Sequence, residues 1–118
     1  MHTVLVVDDE PFLRLTVVDV LADDGFAVLE AASGPEADQI FNQRADIDTL
    51  VTDIRMPGDF DGAELARRAL AKRPDLKVLI MSGWFVGDVN DLPPSARLLK
   101  KPFDLLLLTK EVRALWAS

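Results

Sequence analysis

Short continuous apolar runs alternate along the chain with longer segments whose apolar residues recur every three or four positions. That alternation predicts strands separated by helices. Thr3-Val-Leu-Val-Val7 is a short, continuous apolar run rich in β-branched residues, as in a strand buried on both faces. Pro11 then suits the first turn of a helix that carries Leu13, Val17, Val20 and Leu21 on one face and is closed by Gly25. Residues 26–30 read as a second strand, and Gly34-Pro35 leads into a helix with Ala37, Ile40 and Phe41 inward. A third strand covers residues 47–52 and ends at Asp53, because Pro57 forbids it from continuing. Gly62 opens a helix with Leu65, Ala66, Ala69 and Leu70 inward, and Pro74 ends it. Residues 77–81 form a fourth strand and residues 97–100 a brief, edge-like fifth. After Lys101-Pro-Phe comes a last helix with Leu105, Leu108, Val112 and Leu115 on one side. Residues 84–95, with two glycine-aspartate or asparagine-aspartate pairs and Pro93-Pro94, permit at most a short helix.

Strands that alternate with helices are joined by crossovers, which are nearly always right-handed. The predicted fold is therefore α/β, a five-stranded parallel sheet with helices on both faces. All C-terminal strand ends then share one edge, where open sheets of this kind hold ligands and chemistry. Asp8 and Asp9 leave the first strand there, Asp53 the third, Ser82 the fourth and Lys101 the fifth. Singly, each has an ordinary explanation: acids cap a helix N-terminus, Asp53 and Ser82 suit turns, and Lys101 suits a surface. Together they form a specific constellation. Two adjacent carboxylates repel each other, a cost most easily offset by a bound cation. The same acids argue against a nucleotide-phosphate loop, which needs glycines and exposed N–H groups rather than negative charge.

The totals narrow the function classes. A length of 118 residues suits one domain, 1–118, with a single core and no linker or output domain after the last helix. A formal charge of −7 argues against nonspecific binding to nucleic acid or an anionic membrane, and favours proteins and cations as partners. The absence of cysteine excludes disulfides, thiolate zinc sites and cysteine nucleophiles. No apolar run is long enough to span a membrane and no signal-peptide pattern opens the chain, so a cytoplasmic, soluble protein is expected.

In Val6-Val-Asp-Asp-Glu-Pro, Asp53-Ile-Arg-Met-Pro-Gly, Met81-Ser-Gly and Lys101-Pro-Phe the chain resembles, from end to end, a bacterial two-component response-regulator receiver domain. The resemblance implies a flavodoxin-like sheet of order 2-1-3-4-5 and a phosphoacceptor at Asp53, charged by a histidine kinase or histidine phosphotransfer protein. It implies Mg²⁺ held by Asp9, Asp53 and the Arg55 main-chain carbonyl, with Asp8 acting mainly through water. Lys101 would pair with a phosphoryl oxygen, and the Ser82 hydroxyl with another after phosphorylation. Such a protein catalyses only its own phosphorylation and dephosphorylation, and switches a downstream protein target as a monomer or a phosphorylation-dependent dimer.

Three departures from the family pattern shape further expectations. The loop Gly58-Asp-Phe-Asp-Gly62 is one residue longer than the commonest form, and Leu98 stands where Tyr or Phe is usual. The interval from Ser82 to Lys101 is short and proline-rich. With no aromatic ring at position 98 to rotate, the switch is expected in residues 83–92, with Trp84 as reporter. Two other functions use part of this chemistry. A haloacid-dehalogenase-like phosphohydrolase also needs an Asp nucleophile, but carries a second Asp where this chain has Arg55. A receiver that no longer switches would serve as a fixed scaffold.

Overall fold

The computed structural model describes residues 2–56, 58–83 and 92–116. Five strands, β1 (Thr3–Val7), β2 (Ala27–Ala31), β3 (Thr49–Asp53), β4 (Lys77–Ser82) and β5 (Arg97–Lys100), form one parallel sheet of order β2-β1-β3-β4-β5. The described helices are α1 (Pro11–Asp23), α2 (Gly34–Gln43), α3 (Gly62–Lys72) and α4 (Leu105–Trp116). The predicted α/β fold and strand order are those observed.

Local chemistry sets the helix starts. The Glu10 side chain accepts the Phe12 and Leu13 N–H groups ahead of α1, Ser33 accepts Glu36 N at the start of α2, and Asp61 accepts Glu64 N at the start of α3. Caps of this kind contribute roughly 1 kcal/mol each. Gly25, at φ 100°, turns the chain out of α1, and Phe26 N donates to Leu21 O. Phe26 is thereby tied to the helix end, and β2 begins at Ala27 rather than at residue 26 as expected. Likewise β3 begins at Thr49 rather than at residue 47: Ile47 is buried, and the Asp48 side chain is taken up by the backbone and hydroxyl groups of its neighbours.

The sheet separates two apolar layers. Leu5, Val7, Leu50, Val78 and Ile80 pack with Ala37 and Phe41 of α2 and Leu65, Ala66 and Ala69 of α3. Val4, Val6, Val51, Leu79, Met81 and Leu99 pack on the other side with Val17 and Leu21 of α1 and Leu108 and Val112 of α4. Alternation along each strand divides the residues between the layers. Several inward expectations are met only in part: Leu13, Val20, Ile40 and Leu115 are half-buried. Leu70 is half-buried at the rim of the first layer, and Leu105 is 37 % exposed, because it stands in the first turn of α4 where it borders an open recess rather than the core. Pro57, Trp84 and the short helix considered for residues 84–95 fall wholly or largely outside the described residues. So does most of the expected switching segment, residues 83–92. No helix among the described residues is long and apolar enough to cross a membrane.

Candidate functional site

The alternation that sorts the core also aims the site. Val4, Val6 and then Asp8 point to the α1/α4 side, as do Val51 and then Asp53, and Leu99 and then Lys101. Three chemically active residues thus converge from β1, β3 and β5, with β1 beside β3 and β4 standing between β3 and β5. β4 carries Met81 on that side and Ser82 on the alternate one. Lys100, one residue before Lys101, is exposed.

Asp8 is fully buried and Asp53 is 8 % exposed. Lys101 Nζ lies 3.3 Å from Asp53 Oδ1 and 3.6 Å from Asp8 Oδ2, so one ammonium serves two buried carboxylates. Asp8 Oδ1 accepts the Glu10 N–H at 2.9 Å. Its Oδ2 is buried without a hydrogen bond, since Lys101 at 3.6 Å is in ion-pair range but too far for one. Burial raises the carboxyl pKa of Asp53; Lys101 opposes that rise and Asp8 adds to it. Burial likewise raises that of Asp8, against the Glu10 hydrogen bond and Lys101, with Asp9 and Glu10 adding to it. The site is short of positive charge.

Asp9 is exposed, yet its carboxylate joins those of Asp8 and Asp53 in a cluster whose donor oxygens lie within 4.8 Å of one another. Three carboxylates supply hard oxygen donors, and Asp8 also carries a buried oxygen with no hydrogen bond; the set fits a small divalent cation such as magnesium. Ser82 is buried at the end of β4, where its hydroxyl donates to the Gly83 carbonyl at 3.3 Å. Its main-chain carbonyl accepts Lys101 N at 2.6 Å, fastening the lysine's backbone to β4. Arg55 is exposed, just beyond β3.

Backbone fit holds the acceptor end of β3. Gly62 lies so close to Asp53 that an added Cβ would stand 1.9 Å from its carbonyl oxygen, and Gly62 N donates to Ile54 O at 2.8 Å. No other residue leaves room for that approach. The Thr52 hydroxyl donates to the same Asp53 carbonyl at 2.9 Å. The longer loop after Asp53 is anchored by Phe60, whose carbonyl and ring lie against Gly34 and whose ring face is covered by the Arg68 guanidinium at 4.0 Å. Sequence reasoning missed the close approach at Gly62 and the role of Arg14, which donates to the Asp8 carbonyl. A lone arginine one helical turn beyond three acids was the signal available for the latter.

A family model described as response regulator receiver domain matches residues 4–113. The chain belongs to the response-regulator receiver family. It is 36 % identical to the response regulator receiver protein CpdR of Brucella abortus (strain 2308), over 95 % of this chain and 94 % of that one. It is 37 % identical to a stretch of the sensor kinase CckA of the same organism, covering 94 % of this chain but only 12 % of that protein's length. A response regulator receiver protein from Sinorhizobium medicae WSM419 superposes with a TM-score of 0.91 at 34 % identity, covering 97 % of this chain and 93 % of that one. The receiver is thus a module of two-component signalling, a non-enzymatic signalling family in general, and its parallel sheet is the family's.

Proposed function

We propose that residues 1–118 act as one cytoplasmic phosphoacceptor module in which Asp53 takes a phosphoryl group from a histidine kinase or histidine phosphotransfer protein. The single observation that carries this reading is the pairing of a nearly buried Asp53 with Lys101 at 3.3 Å beside a buried, unbonded Asp8 oxygen. Similarity to a stretch of a protein named as a sensor kinase supports a kinase as the donor.

Asp9, Asp53 and the Arg55 main-chain carbonyl would hold magnesium, with Asp8 acting mainly through water. Bound there, the ion supplies neutralising charge for the phosphoryl oxygens. An Asp53 carboxylate oxygen forms the new P–O bond as the donor's P–N bond breaks, and the electron pair of that bond stays on the imidazole nitrogen. Lys101, already within reach of the acceptor carboxylate, faces the charge that accumulates on a phosphoryl oxygen. Gly62 and Thr52 keep the end of β3 in place while that happens. The Ser82 hydroxyl gives up its bond to the Gly83 carbonyl and donates to a phosphoryl oxygen, which transmits occupancy of Asp53 to the chain that follows β4. This is positioning and electrostatic stabilisation, the usual substance of phosphoryl transfer. The output is an altered affinity for a downstream protein, and no external substrate is turned over.

Intact-mass measurement with acetyl phosphate and magnesium tests the reading. One phosphoryl adduct is expected on the wild type and none on Asp53→Asn; an undiminished adduct on that variant would place the acceptor elsewhere. A beryllofluoride complex that leaves every partner interaction unchanged would favour a fixed scaffold.

A further inference from the structure

Asp9 poses a physical problem. It is exposed and free to swing into water, yet its carboxylate stands within 4.8 Å of those of Asp8 and Asp53, against the repulsion of both. Its backbone must therefore aim it there. The carbonyl of Asp8 and the N–H of Asp9 belong to one planar peptide, so fixing that carbonyl fixes the N–Cα bond from which the Asp9 side chain is carried and limits where its carboxylate can reach. Arg14, on the first turns of α1, donates from Nη1 to the Asp8 carbonyl at 2.8 Å. Its Nε donates to Glu30 Oε1 on β2 at 2.9 Å, and its side chain is only 18 % exposed. Asp8 N donates to Ala31 O at 3.2 Å on the other side. With Asp8 Oδ1 bonded to Glu10 N, three hydrogen bonds hold Asp8 at the turn from β1 into α1, and the one from Arg14 is made by a side chain from outside the turn; Lys101 reaches Asp8 Oδ2 at ion-pair distance.

We propose that Arg14 is a positioning residue for the metal-binding acids: it sets the Asp8–Asp9 peptide so that the Asp9 carboxylate faces Asp53, and Glu30 holds the guanidinium in that pose. This rests on the magnesium-binding reading given above. Charge alone predicts the reverse. A guanidinium beside an acidic cluster repels a cation, so removing it should tighten binding if Arg14 acted only through its field. The sign of the change therefore separates the two.

Isothermal titration with MgCl₂ at fixed ionic strength, alongside the melting temperature of the metal-free protein, decides it. Arg14→Gln should weaken magnesium binding by about tenfold or more, the usual effect of losing a group that orients a metal ligand. Arg14→Lys should recover part of the loss, since an ammonium can reach the same carbonyl but cannot also bridge to Glu30, and Glu30→Gln should show a smaller loss. Unchanged or tighter binding by Arg14→Gln overturns the proposal, as does a lowered melting temperature with unaltered affinity. If Arg14→Gln does not fold, Arg14→Lys carries the test without any change of charge, and wild-type affinity in that variant overturns it. A wild type that binds no magnesium overturns the metal reading itself, whatever the variants do.

Discussion

β3 is flanked by an aspartate at each end, and the two live in opposite surroundings. Asp48, just before the strand, has both oxygens occupied: Oδ1 accepts Thr3 N at 3.1 Å and the Thr49 hydroxyl at 2.9 Å, and Oδ2 lies 3.1 Å from His2 Nδ1. The His2 ring stacks on Trp116 with centroids 4.0 Å apart, and Trp116 Nε1 donates to Thr49 Oγ1 at 3.0 Å. Asp53, closing the strand, shares one lysine with a second buried acid that has an oxygen left over. One edge of the sheet satisfies its polar groups and is stronger for it. The other withholds partners, and that shortage is what makes it receptive to a cation and an incoming phosphoryl group.

If the contrast is real, the two edges answer perturbation differently. The largest effect expected is from metal: magnesium at a hundred times its dissociation constant should stabilise the wild type by about 2.7 kcal/mol. Asp48→Asn should show the same gain and Asp8→Asn much less, read from thermal melts with and without EDTA. Next, Asp48→Ala should destabilise by about 2 kcal/mol in urea titrations, because it leaves the Thr3 N–H without its acceptor and frees His2. Asp53→Asn should do the opposite without metal, stabilising by about 1 kcal/mol, since it removes one of two buried like charges and leaves Lys101 to Asp8. A destabilised Asp53→Asn would show that the Lys101 pair outweighs burial.

The smallest effect lies in the pH dependence of that last difference. The Asp53 carboxyl titrates higher in the folded protein than in the unfolded chain, because of burial. A raised folded value means its favourable contribution is present below the unfolded value and lost as pH rises through the folded one. The advantage of Asp53→Asn over the wild type should therefore be greatest near neutral pH and shrink on acidification. An advantage that grew on acidification would contradict the assigned direction.

Much of the site was legible because it follows from periodicity. Once the strands are read as one parallel sheet, their C-terminal ends bring Asp8, Asp9, Asp53, Ser82 and Lys101 to one edge, and the family's lysine-proline pair together with alternation separates Lys101 from Lys100. The order of the sheet was carried by the family resemblance. What stayed hidden depends on residues distant in sequence meeting in space. Gly62 reads as a helix start, and nothing in its neighbours says that its missing side chain admits the Asp53 carbonyl. Of the three acids after β1 the sequence singles out the Asp8-Asp9 pair for a cation, but not which acid caps the helix: in the structure Glu10 caps α1, Asp8 braces the turn with one oxygen, and Asp9 stands exposed. The His2–Trp116 stack joins residues near opposite ends of the chain, which no window of sequence brings together.

That stack also bears on how the protein can be observed. Trp116 is held by a hydrogen bond to Thr49 and covered by an imidazole, with Lys77 Nζ 5.7 Å from its ring, at the edge of the sheet away from Asp53. Its emission should therefore change little as ligands enter the acidic edge, which leaves Trp84, two residues after Ser82 in the sequence, as the expected source of any change.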